Sequence, residues 1–308
     1  MEQPLVLAPD SLDGESSASE RSADSTWRDY VNVVKPGITI SNMLTTFTGL
    51  WLAAHGRPDI ILGCVTLVGG SLVVMSGCAL NNYMDRDIDQ LMPRTQDRPL
   101  PNGRIPAWRV MTLGIVLGVV GISLLGLFAT TLSALMALIG LFFYVIVYTG
   151  LTKRTTTLST VIGGVSGAMP PLIGWTAVTG SLDTTALLLF VFMFLWQPPH
   201  FLALAMRRVK DYATAGIPLL PVVYGFGLTK RQIAVWTAAL VPSSLLLYGV
   251  RAVGLFYLLT AIVLGVVWLY KAVRGFRVKD DIAWATDMFR FSLIYLMALS
   301  IAMVVNVR

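Results

Sequence analysis

The stretch IILGCVTLVGGSLVVMSGCALNNYMDRDID, residues 60–89, decides how the rest of the chain is read. Residues 60–82 carry no charged side chain. At about 1.5 Å per helical residue such a run is long enough to cross roughly 30 Å of hydrocarbon. The next residues reverse the chemistry abruptly, with Asp85, Arg86, Asp87 and Asp89 crowded together. Asn81, Asp85 and Asp89 are spaced by four and line one helical face, with Asp87 turned away. A membrane-crossing helix that ends in a rim of carboxylates is therefore expected here.

Composition carries the same message along the 308 residues. Hydrophobic residues make up 55% and charged ones 13%, against about 25% charged in soluble proteins. With a mean hydropathy of +0.71, there is too little polar surface to cover a water-facing globule. Apolar runs at 38–55, 60–82, 109–129, 131–149, 158–178, 184–206, 233–250, 253–270 and 287–305 predict an all-α, polytopic membrane bundle of about nine transmembrane helices. The Gly-, Ser- and Pro-containing run GGVSGAMPPLIGW, residues 163–175, suits a bent helix packed inside protein. Residues 1–29, acidic and rich in Ser, are expected to be a disordered cytoplasmic tail ahead of a membrane domain over 30–308. Cys64 and Cys78 fall in one apolar run and read as packed thiols, not as a disulfide or zinc site.

The net charge of +6 forms no dense patch, which excludes a nucleic-acid interface. The cations instead alternate between connections. With the N-terminus inside, 20 of the 23 lie on one side, and only Arg57, Arg251 and Arg308 lie on the other. This bias predicts an integral membrane protein with its N-terminus and both long polar loops, about 83–108 and 207–232, on the cytoplasmic face; a bacterial plasma membrane is the expected location.

Two readings of the Asn81, Asp85 and Asp89 face stand. Magnesium takes one or two carboxylates, keeps waters and completes its shell with substrate phosphate oxygens, and a divalent cation would offset acids that are costly at a membrane boundary. Alternatively the face is a solvated helix end balanced by Arg86 and water. Arg94, Arg98 and Arg104 in RTQDRPLPNGRI, with Lys153 and Arg154 in YTGLTKRTTT, are cations of the kind that hold a diphosphate. Each also serves as an ordinary topology marker. In WQPPHFLALAMRRVKDYATAGIPLLPVVYG, residues 196–225, Asp211 stands close to Arg207, Arg208 and Lys210, either as a local salt bridge or as part of a site. His200, behind two prolines, is either a packed, hydrogen-bonded histidine or a haem-contacting one. His55, in a short outer turn, is incidental.

Through NNYMDRDID, RTQDRPLPNGRI and the Tyr148 to Lys153 segment the chain resembles the UbiA-type intramembrane prenyltransferases. The strings GGVSGAMPPLIGWTAVTG and WQPPHFLALAMRRVKDYATAGIPLLPVVYG are similar to the protohaem IX farnesyltransferase (haem O synthase) branch, from about residue 30 to the C-terminus. The resemblance implies a helix bundle around a central cavity open to the cytoplasmic face, and transfer of a farnesyl group from farnesyl diphosphate to a vinyl group of haem B. Water addition then gives haem O, on the way to haem A. It implies that Asn81, Asp85 and Asp89 hold Mg²⁺, that Asp85, Asp89, Lys153 and Asp211 are catalytic, and that Asn81, Asn82, Arg94, Arg98, Tyr148, Lys153 and Arg154 contact substrate. His200, Arg207, Arg208 and Lys210 would meet haem or diphosphate. Tyr83, Phe143, Tyr148 and Trp196 are candidates to shield an allylic cation. The lipid bilayer and a downstream haem A synthase are the implied partners. In the wider family the second loop carries two acids four apart, whereas Asp211 is flanked at that spacing by Arg207 and Ala215, so a symmetrical second metal cage is not expected. A quinone precursor or chlorophyllide is the alternative acceptor. An ion-coupled transporter is the rival class, though its charges belong near the bilayer midplane.

Overall fold

Helices account for the chain from Trp27 onward in the computed structural model, which describes residues 25–308. Helix α1 (Trp27–Val34) begins inside the segment expected to be a tail. Thr26 caps it, because the Asp29 carboxylate accepts hydrogen bonds from the Thr26 backbone N–H and hydroxyl at 3.0 Å each. The remainder of the predicted tail, residues 1–24, lies outside the described residues. Next come α2 (Pro36–Ala53), α3 (Ile60–Met84), the short α4 (Arg86–Gln90), α5 (Ala107–Phe128) and α6 (Thr131–Phe142), which continues as a π-helix over Phe143–Thr152. A bent pair follows, α7 (Ser159–Gly167) and α8 (Met169–Thr179), then α9 (Thr184–Arg207), two short loop helices α10 (Val209–Thr214) and α11 (Leu220–Val223), and finally α12 (Gly225–Gly249), α13 (Leu255–Arg274) and α14 (Asp281–Val305).

Eight of these units are long and apolar enough to cross a membrane. The ninth expected span corresponds to α2. Its 18 residues include buried Thr45, Thr46 and Thr48, whose hydroxyls donate to carbonyls of the preceding turn, so the polar groups are satisfied within the helix. The Ser159–Thr179 unit breaks at Ala168, just before Pro170 and Pro171, and is the most enclosed of the eight. A proline cannot donate the helical hydrogen bond, and burial in protein makes the break tolerable. Cys78 is packed as expected; Cys64 instead faces outward from α3, because one apolar helix presents some faces to lipid.

Packing of α2 on α8 is close enough to need two glycines. A Cβ at Gly49 would overlap the Pro171 carbonyl, and a Cβ at Gly174 would overlap the Thr46 carbonyl. Small residues let helix backbones touch where no hydrophobic effect drives them together. Around this contact, α3 lies along α5, and α9 along both α12 and α14. The two ends of the bundle differ. At one end, the His55 ring meets the Arg308 carbonyl at 2.8 Å, and the Arg308 N–H reaches Ala252 O. Arg251 precedes Ala252 and Arg57 lies two residues after His55, so the three cations of the sparse side are neighbours. At the other end, Ile88 and Met92 pack with Ala205, Ala215, Ile217 and Leu219, which joins the two long polar loops on one face as expected.

Gly174→Ala is expected to lower unfolding stability in mixed micelles by about 3 kcal/mol, since backbone, not a flexible side chain, must move. Gly63→Ala, whose Cβ meets nothing within 4 Å, is the control and should unfold like the parent.

Candidate functional site

Helix α3 ends where the sequence turns acidic, yet its hydrogen bonding continues across the break. Asp85 N–H donates to Asn81 O at 2.9 Å and Asp89 N–H to Asp85 O at 2.8 Å. The helical register therefore carries through, and Asn81, Asp85 and Asp89 share a face as predicted. That face points inward: Asn81 and Asn82 are 5% exposed, Asp85 2% and Asp89 3%. Asp87 points away and is gripped by Arg154, whose two terminal nitrogens donate to its carboxylate at 2.6 and 2.7 Å. Those hydrogen bonds hold Asp87 down to about 2 and raise Arg154.

Burial rules out the solvated helix end. Arg86, its supposed counter-ion, donates instead to the Tyr83 carbonyl at 2.7 Å and lies over the Tyr83 ring. The acids are matched by more distant cations. Lys153 Nζ donates to Asp85 Oδ2 at 2.5 Å, and Arg98 Nη1 to Asp89 Oδ2 at 2.7 Å. Arg98 also reaches Asn82 Oδ1 at 3.4 Å. The Asn81 amide donates to Asp85 Oδ2 at 2.6 Å and to the Thr149 hydroxyl at 3.2 Å. Its carbonyl oxygen accepts from Lys35 Nζ at 2.8 Å.

The π-helix of residues 143–152 explains how Lys153 arrives there. Thr149 and Thr152 hydroxyls donate to carbonyls five residues back, those of Tyr144 and Val147, and the Lys153 N–H reaches Tyr148 O at 2.8 Å. The wider turn places Thr149 and Lys153 against α3, with Tyr148 stacked on Tyr144 at 5.9 Å between centroids. π-helical segments inside α-helices recur at functional sites.

The second loop joins through Arg94, whose Nε is 3.7 Å from Asp211 Oδ2; Arg208 is 4.0 Å from the same oxygen. Arg207 turns elsewhere, over the Phe289 ring at 4.6 Å, and Lys210 is exposed. Arg104 also leaves the cluster, donating to Asp29 at 3.0 Å. His200 is buried between Trp196 and Phe289, at 4.5 and 4.8 Å between centroids. Its Nδ1 lies 2.6 Å from Ser292 Oγ. The Ser292 hydroxyl already donates to Phe289 O, so it accepts from Nδ1–H, which leaves Nε2 as the unprotonated nitrogen.

Lys35, Thr149 and Tyr212 carry weight that their sequence positions do not advertise. Burial pushes the Lys35 ammonium down to about 8 and raises the Tyr212 phenol. Only a lysine-proline pair at a helix start marks Lys35, and that pattern says nothing of a partner 46 residues away.

The site has the donor chemistry for a hard dication. Among the described residues no three His, Cys, Asp or Glu side chains gather into a metal cage. Magnesium does not require one, since it accepts one or two carboxylates and fills its shell from water and phosphate. Asp85 Oδ1 is buried and has no hydrogen-bond partner, an expensive state for a carboxylate oxygen and one that a cation would relieve.

Residues 42–294 match the UbiA prenyltransferase family. The chain belongs to that family. It is a prenyltransferase. Among its relatives, a protoheme IX farnesyltransferase from Alkalihalophilus pseudofirmus is 52% identical, over 91% of this chain and 90% of that one. Protoheme IX farnesyltransferase 2 from Bacillus subtilis is 45% identical, over 97% of each. Of the UbiA folds solved, digeranylgeranylglyceryl phosphate synthase superimposes with a TM-score of 0.77 at 19% identity, covering 91% of this chain and 97% of that one. A UbiA homolog from Archaeoglobus fulgidus bound to DMAPP and Mg²⁺ gives 0.66 at 13%, covering 90% and 99%. These two share the fold.

Lys153→Met strands the Asp85 carboxylate in a buried setting, so it is expected to cost about 3 to 5 kcal/mol. The double variant Lys153→Met/Asp85→Asn should recover much of that loss when both are unfolded under the same conditions.

Proposed function

We propose that the chain transfers the farnesyl group of farnesyl diphosphate to a vinyl group of haem B, with addition of water, to give haem O. The observation that carries this reading is the inward acidic rim of Asn81, Asp85 and Asp89, ringed by Lys153, Arg98 and Lys35. An acid rim set among phosphate-suited cations fits a metal-bound diphosphate. The acceptor and the donor come from the relatives, which are named as protoheme IX farnesyltransferases at 45–52% identity over more than nine-tenths of the chain.

On this reading Mg²⁺, held by Asp85 and Asp89 with the Asn81 oxygen, supplies Lewis-acid stabilisation of the leaving diphosphate. Lys153, Arg98 and Arg94 offset the charge that grows on the diphosphate as the allylic C1–O bond breaks and its electron pair departs with oxygen. Arg154 clasps Asp87 and keeps the rim in register with the π-helix. The vinyl π electrons then form the new bond to C1, and water adds to the resulting cation with loss of a proton. Tyr148 presents a ring on the site side of the π-helix, where its π face would shield positive charge. His200, through Nε2, is the haem contact, with Arg207 and Arg208 available to the propionates. Asp211 steadies Arg94. Lys210, exposed and outside the cluster, serves at most as a surface cation for haem entry.

The bias of 20 of 23 cations to the loop-rich side supports a site on the cytoplasmic face, and the bacterial relatives support a bacterial cell membrane. The product passes from there to an enzyme that oxidises haem O to haem A.

Purified protein given haem B, farnesyl diphosphate and Mg²⁺ should yield a porphyrin heavier by one farnesyl group plus one hydroxyl, seen by mass analysis of the extracted pigment. Asp85→Ala or Asp89→Ala should abolish that product without preventing membrane insertion, and full turnover in the double variant would sink the assignment. His200→Phe should alter the haem Soret band on titration; an unchanged spectrum returns the ring to packing.

A further inference from the structure

Lys35 is the cation that the acidic rim does not account for. Two carboxylates, Asp85 and Asp89, are met by Lys153 and Arg98 at hydrogen-bond distance. Among the described residues Lys35 has no carboxylate within 4.0 Å, and its Nζ donates only to the neutral carbonyl oxygen of Asn81 at 2.8 Å. Three cations against two acids leave the cluster with one positive charge in excess, beside buried groups. Such a charge is costly unless an anion completes it.

Its position is also held at a cost. Lys35 is the single residue between α1 and α2, with φ 50° and ψ 68°, a left-handed conformation that residues with a Cβ rarely adopt. The turn brings the side chain onto the end of α3. There it occupies the one oxygen of Asn81 that could ligate a metal. The Asn81 amide nitrogen is spent on Asp85 and Thr149, and an ammonium hydrogen-bonded to the Asn81 oxygen repels a dication that would share it.

We infer that Lys35 is a placeholder cation, which holds the Asn81 oxygen until a metal-diphosphate pair arrives and then moves onto a diphosphate oxygen. A dication alone would add to a cluster that is already positive and would have to displace Lys35 with no anion to receive it. The diphosphate supplies that anion. Metal and diphosphate therefore bind as a coupled pair, each raising affinity for the other by the same factor. This inference rests on the rim being the metal and diphosphate site.

The test is an EPR titration of Mn²⁺, standing in for Mg²⁺, into the full-length protein with and without inorganic diphosphate. The wild-type protein should bind Mn²⁺ about tenfold more tightly with diphosphate present, after correction for Mn²⁺ held by free diphosphate. Lys35→Gln, which keeps a donor for Asn81 but removes the charge, should bind Mn²⁺ alone more tightly than wild type and lose most of the enhancement. Lys35→Arg should retain it, and matching thermal midpoints establish that the variants are folded. Equal affinity of the wild-type protein with and without diphosphate overturns the inference with no variant needed. So does wild-type behaviour of Lys35→Gln. Asp85→Asn separates the two levels: if it binds Mn²⁺ as wild type does, the metal site itself is wrong, whereas its failure to bind beside an unchanged Lys35→Gln condemns the placeholder alone.

Discussion

A carboxylate at the end of a membrane-crossing helix must be matched, and the matching of Asp85 organises everything near it. The side chain is 2% exposed, in surroundings where an unpaired charge would be costly. Its partners come from three parts of the chain: Asn81 one turn back, Lys153 from the end of the π-helix, and, through Asn81, Lys35 from the α1–α2 junction. Asp89 repeats the pattern with Arg98 from the following loop. The polar end of the bundle is thus a network of charge pairs, and each pair fixes one element that apolar packing alone would leave free to slide.

The apolar part of the bundle supplies the rigidity that such a network needs. The α2–α8 contact, closed by Gly49 and Gly174, and the core that joins α9, α12, α13 and α14 through Phe192, Leu240, Trp268 and Tyr295 hold the helix ends at fixed separations. Two polar loops then meet over Ile88, Met92, Ile217 and Leu219. This small apolar patch brings Arg94 of the first loop to Asp211 of the second. Hydrophobic packing positions the loops, and electrostatics sets their register.

The spans, the bend in Ser159–Thr179 and the shared face of Asn81, Asp85 and Asp89 were legible because each is written in the local sequence, whereas the burial of that face was not. A spacing of four needs no knowledge of the rest of the molecule. What stayed hidden depends on where distant segments meet. Lys35 reads as one more positive-inside residue until α2 folds beside α3. Arg104 reads as a phosphate ligand until Asp29 captures it, and Arg86 as the natural counter-ion of its neighbours until it turns onto Tyr83. The π-helix was invisible for a related reason: one extra residue per turn leaves no periodic mark over ten residues, although it determines whether Lys153 faces Asp85 or lipid.

The asymmetry between the two loops also has a physical reading. Asp211 has Arg207 and Ala215 at the positions where a second acid would stand four residues away. Its Oδ2, like Asp85 Oδ1, is buried without a hydrogen-bond partner, and its nearest cations lie at 3.7 and 4.0 Å. Distances of that size are looser than the 2.5 and 2.7 Å pairs of the first loop, and a loosely held ion pair leaves its members able to change partner. With a single acid, the second loop offers more positive than negative charge to whatever enters. A dication would settle on the first loop, and the second would be left to neutralise an anion. Cations thus stand on both sides of one acidic rim, Lys153 and Arg98 tightly against Asp85 and Asp89, Arg94 and Arg208 loosely about Asp211, so the tight pairs fix the rim while the loose ones leave the second loop free to adjust to an anion.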